Sequence, residues 1–232
     1  AVYATHTWEI SDKLILNDGL RASYVRLNSN FVDKTFFPFP FDDISQQHLA
    51  LNGNLGLIYM PNKFWRMSIS GSTAFRAPNV DDLSKVFESV QGSVLVPNPN
   101  LKAEYAYNGE FGVSRVLSEG LSIQATGYYT LFKNALTVGT GTFNGADSVV
   151  YDGQFSQVMT TTNAGRAYVY GFEAMLSGKL NDHLSMMATV NYTKGRNVTD
   201  SIPLDHIPPV FGKLAMVYTL GKLRTELFMN YS

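Results

Sequence analysis

The chain has 232 residues, 45% hydrophobic and 13% aromatic, with a formal net charge of -1 and no cysteine. The near-neutral charge gives no sign of a nucleic-acid-binding surface, so no nucleic-acid partner is expected. The missing cysteines exclude a disulfide framework and a thiolate metal centre, and no apolar run approaches the roughly 18 residues of a transmembrane helix.

What the chain does carry is a period of two. Residues 2–10 open it, with an ambiguous facing because Tyr3 and Trp8 fall on opposite sides. Residues 14–25 set Leu14, Leu16, Leu20, Ala22 and Tyr24 against Asn17, Gly19, Arg21 and Ser23, with Asp18 as an exception on the apolar side. Residues 48–59 set Leu49, Leu51, Leu55, Leu57 and Tyr59 against His48, Asn52 and Asn54. In 65–76 the apolar set is Trp65, Met67, Ile69, Gly71, Thr73 and Phe75, and the other is Arg66, Ser68, Ser70, Ser72, Ala74 and Arg76. The pattern returns over 104–114, 121–131, 168–180, 184–193, 210–219 and 223–231. Alternation argues for strand against helix. Stretches of about ten residues exceed the usual five or six of a soluble strand.

The connections alternate as well. Short turns are predicted at 11–13, 61–64, 117–120, 181–183 and 220–222, and long loops at about 27–46, 77–102, 133–163 and 194–208. Tight turns at one end and long loops at the other mark an all-β, antiparallel transmembrane barrel with periplasmic turns and extracellular loops. On this reading Leu55, Leu57, Ile69, Phe111, Ile123, Met186 and Val190 face lipid. Asn54, Ser70, Asn108, Gln124 and Asn191 face the lumen, as do the charged residues Arg21, Arg66, Arg76, Glu104, Glu110, Glu173, Arg224 and Glu226. Arg76 and Glu104 flank the 77–102 loop on adjacent strands, which predicts an ion pair between them. With the short turns in the periplasm, both chain ends reach the extracellular rim. The chain is therefore expected to be about ten strands from the interior of a larger barrel. A passive porin or adhesin barrel and a soluble all-β binding module are the competing readings.

Several stretches resemble TonB-dependent outer-membrane receptors. They are the Phe-Arg-Ala-Pro box in "STAFRAPNVDDL" (72–83) and the Asn-Pro-Asn-Leu box in "VPNPNLKAEYAYNGEFG" (96–112). With them come "YATHTWEISDKLILNDGLRAS" (3–23), "NAGRAYVYGFEAML" (163–176) and "IPLDHIPPVFGKLAMVYT" (202–219). The resemblance implies a barrel of about 22 strands around a plug. It also implies extracellular capture of a scarce nutrient such as a siderophore-bound iron, haem or cobalamin, and TonB-supplied energy for import. The plug and the final strands fall outside residues 1–232, which read as part of one barrel domain. Haem receptors with these two boxes usually carry a histidine between them, and residues 77–97 contain none.

The candidate ligand contacts lie toward the extracellular side. They are Phe36, Phe37, Phe39 and Phe41 of "NFVDKTFFPFPFDD" (30–43), together with His48 and His206. An aromatic cluster grips apolar ligands, and a neutral imidazole binds iron; packing of the rings against neighbouring loops is the alternative. Asp42, Asp43, Asp81 and Asp82 lack calcium-loop spacing and read as solvated acids. No nucleophile elbow, His-Glu-x-x-His pair or phosphate loop appears. No enzymatic activity, cofactor or metal is expected, and the expected partners are outer-membrane lipid, the TonB complex and a small nutrient.

Overall fold

The computed structural model describes residues 1–232 except Phe36, Asp200, Asp205, His206 and Pro209, with the backbone alone for Ala164. The long strands are β1 (Val2–Ser11), β2 (Leu14–Asn30), β3 (Asp43–Asn62) and β4 (Trp65–Arg76), followed by β7 (Glu104–Ser118) and β8 (Leu121–Thr140). Then come β10 (Gln154–Lys179), β11 (Leu184–Asn197), β13 (Val210–Leu220) and β14 (Leu223–Tyr231). They pair in the order β1-β2-β3-β4-β7-β8-β10-β11-β13-β14, each antiparallel to the next. Four short strands sit in the connections: β5 (Phe87–Val90), β6 (Ser93–Val96), β9 (Ser148–Tyr151) and β12 (Ile202–Pro203). One short helix, α1 (Val80–Ser84), lies with β5 and β6 between β4 and β7.

The register turns the alternation of single strands into two continuous faces. Trp8, Leu16, Leu57, Ile69, Phe111, Gly127, Phe172, Tyr192 and Val210 are successive cross-strand partners and form one apolar row. The row behind it on the other face reads Ile58, Ser68, Gly112, Thr126, Glu173 and Asn191. Partners in a ladder point the same way, so the apolar set of each strand joins that of the next. The ambiguity in β1 is thereby settled: Trp8 opposes Leu16 on the apolar face, and Tyr3 opposes Arg21 on the polar one.

Burial is inverted relative to a water-soluble sheet. Leu49 and Leu51 are 75% and 70% exposed, while Ala50 between them is 3% exposed. Leu20, Leu55, Ile69 and Phe111 are exposed too. A band of this size has no place in water and is what hydrocarbon covers. Aromatic rings gather at its extracellular edge. Tyr129 and Tyr168 lie 5.8 Å apart, Phe172 and Tyr192 5.8 Å, and Phe75 and Tyr105 6.1 Å. At the opposite edge Arg115 sits 4.8 Å over the Trp65 ring. Rings with a polar end belong at the two interfaces.

Asp18 breaks the apolar row and is compensated locally. It accepts a hydrogen bond of 3.2 Å from Trp8 Nε1 and lies 3.5 Å from His6 Nδ1. A polar group facing lipid is tolerable only with such partners.

The five short turns fall where they are predicted, reduced to two residues in four cases by strands that run closer to the turn. At the other end the strands are longer than expected: β8 runs to Thr140 and β10 begins at Gln154. Past the lipid band the hydrophobic alternation lapses, but backbone pairing continues because it needs no particular side chain. The sheet is also not wholly antiparallel, since β6 pairs with β10 in parallel.

Candidate functional site

The extracellular connections fold over the polar face, and two packed clusters hold them there. Leu83 of α1 and Leu101 bury against Ile44, with Leu27, Phe31, Phe41 and Leu136 around them. The pairs Leu27–Gln46 and Ser29–Ile44 share the parity of the lumen-facing positions of β2 and β3. The loops therefore lean inward, across the mouth. The second cluster joins Phe37, Val94, Val96, Phe143 and Val158. Rings bridge the two: Phe31 to Phe41 at 5.2 Å, Phe31 to Phe39 at 4.5 Å, Phe39 to Phe37 at 5.3 Å and Phe37 to Phe143 at 4.7 Å.

The Asn-Pro-Asn-Leu segment is a strap pinned at both sides. From β3, Gln46 Nε2 donates to the Pro99 and Leu101 carbonyls at 2.9 and 3.1 Å. From β10, the Thr161 carbonyl accepts from Asn98 Nδ2 at 3.0 Å. Asn163 Oδ1 accepts from Lys102 N at 2.8 Å, and its Nδ2 donates to the Lys102 and Asn134 carbonyls, both at 2.9 Å. Asn98 Oδ1 also turns the strap by accepting from Asn100 N at 3.0 Å.

The Phe-Arg-Ala-Pro segment leads into α1. Asn79 caps that helix, and in return the Asp82 carboxylate accepts a hydrogen bond from the Asn79 N–H. The same Asp82 carboxylate binds Arg76 Nη2 at 2.8 and 3.1 Å. This corrects the predicted Arg76–Glu104 pair. The two residues are register partners, but Glu104 Oε2 instead accepts from Leu136 N at 2.8 Å. The β7–β8 ladder ends at Tyr105–Lys133, beside Asn134 with φ 55°, while the β8–β10 register runs on unchanged; the Leu136 N–H beyond that end is left for Glu104 to satisfy. Asp82, read from sequence as a solvated acid, is instead held by Arg76 and the Asn79 N–H; the cap itself escaped that reading, although Asn-x-x-Asp has capping-box spacing.

The predicted contact residues are placed as follows. Phe37 is enclosed in the loop core at 4% exposure, and Phe39 and Phe41 are half-buried in the ring chain. His48 is on the lumen face opposite Val25, and its Nε2 lies 2.9 Å from Gln46 Oε1. Phe36 and His206 lie outside the described residues. Arg21, Arg66, Glu110 and Glu173 share the polar face with Asn52, Ser114, Ser70 and Thr126. On that face Arg21 Nε donates to Ser23 Oγ at 3.1 Å and Asn108 Nδ2 to Glu110 Oε1 at 2.7 Å. Tyr128 reaches along the same wall to Thr193, with 2.7 Å between the hydroxyl oxygens. It crosses Gly171, where an added Cβ would overlap the backbone carbonyl oxygen of Tyr192 and come within 2.7 Å of the Tyr128 hydroxyl. That accounts for glycine in the Tyr-Gly-Phe-Glu box.

In the 31–42 loop a hydrogen bond from Lys34, reinforced by its charge, holds the Asp42 carboxyl below the usual aspartate value. Hydrogen bonds from the Thr35 hydroxyl and N–H do the same for Asp33. No group of three or more His, Asp or Glu that could hold a metal ion occurs among the described residues.

A wall with a lipid-facing apolar band, a polar inner face and extracellular loops folded inward defines an outer-membrane β-barrel with a structured mouth. The TonB dependent receptor-like, beta-barrel family matches residues 1–232, and the chain belongs to that family. Its members are outer-membrane transport receptors of Gram-negative bacteria. The copper transporter OprC is similar over 98% of this chain and 33% of its own, with a TM-score of 0.76 at 19% identity. The hemophore receptor HasR of Serratia marcescens covers 98% of this chain at a TM-score of 0.75 and 13% identity, and 42% of its own length is matched. The ferric enterobactin receptor PfeA of Pseudomonas aeruginosa gives a TM-score of 0.73 at 18% identity over 98% of this chain and 31% of its own. In sequence, a probable hemoglobin and hemoglobin-haptoglobin-binding protein 4 of Haemophilus influenzae is 27% identical over 176 residues, 71% of this chain and 17% of that protein. The chain thus spans well under half the length of these relatives.

Proposed function

We propose that residues 1–232 form part of the wall and mouth of a receptor that captures a scarce nutrient outside and imports it with energy from TonB. The carrying observation is the pinned strap: Gln46 and Asn163 hold the Asn-Pro-Asn-Leu segment across the lumen face from both sides. Loops pinned over the inner face give this part of the mouth a fixed surface on which a ligand can be captured. The relatives' names point to haem, ferric siderophores and copper as cargo classes. Phe39, Phe41 and His48 are the contacts this chain offers, and a plug and further strands elsewhere in the whole protein complete the path. The outer face is covered by lipid.

The test uses the full-length protein in a strain lacking its own iron receptors. Haem or ferric enterobactin is the sole iron source, and copper uptake is followed separately. Uptake of at least one cargo that requires TonB, and is lost when residues 79–100 are replaced by a short Gly-Ser link in a still-folded barrel, supports the reading. Uptake that ignores TonB, or no uptake of any of the three, overturns it and favours the passive barrel.

A further inference from the structure

The outer wall carries a second feature, unconnected with the mouth. Lys133 on β8 and Arg166 on β10 are direct register partners. On β11, Lys194 and Arg196 oppose Tyr170 and Tyr168. All four share the parity of the apolar face and are exposed. Along its own strand each cation lies beyond the last ring of the girdle on the extracellular side, Arg196 one same-face step further out than Lys194. Arg166 precedes Tyr168, Lys194 follows Tyr192, and Lys133 follows Leu131 and Tyr129 at the two-residue spacing of one face. Directly opposed side chains in such a ladder are about 5 Å apart at Cβ and diagonal ones about 7–8 Å, so the four form one cluster.

Among the described residues no carboxylate pairs with the cluster. The ion pairs among the described residues are His6–Asp18, Lys34–Asp42 and Arg76–Asp82, all elsewhere. Arg196 Nη2 donates to the Ser201 carbonyl at 3.2 Å, and Lys133 Nζ lies 5.2 Å over the Tyr107 ring. Each of these contacts uses at most one donor of a group that has several, since a guanidinium has five and an ammonium three. Nor does the cluster serve the mouth, because the opposite face at this level is closed: Ala167 and Asn197 are buried, with Leu204 packed against the former.

We propose that Lys133, Arg166, Lys194 and Arg196 bind the phosphates of an anionic lipid in the outer leaflet. Three observations select that occupant. The patch continues the lipid-facing band, it lies at headgroup level just outside an aromatic girdle, and its charge is complementary to phosphate.

The test uses the full-length protein in detergent micelles with bis-phosphorylated lipid A as probe. Bound lipid is read by native mass spectrometry, and folding by heat-modifiable gel mobility. Retention is expected to fall at least about tenfold in the variant Lys133→Ser/Arg166→Ser/Lys194→Ser/Arg196→Ser, and equally for wild type with dephosphorylated lipid A. Arg166→Lys/Arg196→Lys should retain most binding. Arg26→Ser, on the same face but distant on β2, should retain all of it. If the fourfold variant does not fold, the two pairwise variants are read instead, and each should lose part of the binding. Inorganic phosphate at matched concentration should not displace the lipid. Equal retention by the folded variants and wild type, indifference to the lipid phosphates, or displacement by free phosphate would overturn the proposal.

Discussion

Arg76 and Glu104 stand directly opposite each other in the β4–β7 ladder, yet each binds something else. Arg76 holds Asp82 of the loop helix at 2.8 Å, and Glu104 holds the Leu136 N–H of the next strand. The ladder thus ties the start of the 77–103 loop to its own helix, and its end to β8. A double-mutant cycle on Arg76→Ala and Asp82→Ala should give a coupling of about 0.5–1 kcal/mol, since the pair is only half exposed. The Arg76→Ala/Glu104→Ala cycle should be additive to within about 0.5 kcal/mol. Thermal unfolding of the receptor in lipid reads both.

The strap gives a second expectation. Asn163 makes three hydrogen bonds to Lys102 and Asn134, and Gln46 makes two to Pro99 and Leu101. Asn163→Ala removes two bonds to the exposed Lys102 backbone and leaves the half-buried Asn134 carbonyl unpaired, at about 1–3 kcal/mol of local stability. Hydrogen exchange should speed up over residues 98–103 by roughly one to two orders of magnitude, with the β7 and β8 amides below Asn108 unchanged. Uniform acceleration across the wall would show instead that Asn163 supports the barrel itself.

How legible was this in advance? The Ile69/Ser70 alternation, the ten long strands and the short turns could all be read, because lipid on one side and lumen on the other force a period of two. Facing was lost wherever that force is absent. β1 carries an aromatic on each side, at Tyr3 and Trp8, and only its register with Arg21 and Leu16 decides between them. At Gln46, Gln47 and His48 both faces are polar, so nothing in the pattern says that Gln46 points inward to the strap. The family boxes marked where the mouth lies but not what they do there. Pinning depends on amide–carbonyl contacts between residues 53 to 63 positions apart, and no local pattern encodes such pairings. Phe37 reads as a ligand contact in sequence. The structure puts it under Val94 and Phe143, because a loop rich in phenylalanine supplies its own core.

A third expectation concerns pH. Lys34 lowers the Asp42 carboxyl from its ordinary value of 3.8, and Thr35 lowers that of Asp33. Groups with depressed folded values contribute stability that is complete above the unfolded value and is lost as pH falls through the folded one. Docking of the 31–42 loop should therefore be constant from neutral pH to about 5. It should loosen only below the ordinary carboxylate range, and Asp42→Asn should remove most of that acid sensitivity. Tryptic cleavage after Lys34 in protein returned to neutral pH after graded acid exposure would not capture a reversible change. Proton NMR exchange at Thr35 during the titration does.

The Asp18 site provides a fourth. Trp8→Phe deletes the indole donor and should destabilise the barrel in lipid by about 1–3 kcal/mol. In an Asp18→Leu background the same change should cost almost nothing, because the acceptor it strands is gone. Reversible unfolding in lipid vesicles measures the cycle. Equal costs in both backgrounds would mean that Trp8 matters only as an interfacial ring.

The most direct test of the account is which face meets lipid. The chain has no cysteine, so single cysteines can be placed one at a time at positions 67–73 of β4 in the full-length protein and spin-labelled in bilayers. Accessibility to oxygen, which partitions into hydrocarbon, should peak at 67, 69, 71 and 73. Accessibility to a water-soluble nickel reagent should peak at 68, 70 and 72. The opposite phase, or a profile without a period of two, would contradict the assignment of Met67 and Ile69 to lipid and of Ser68 and Ser70 to the lumen.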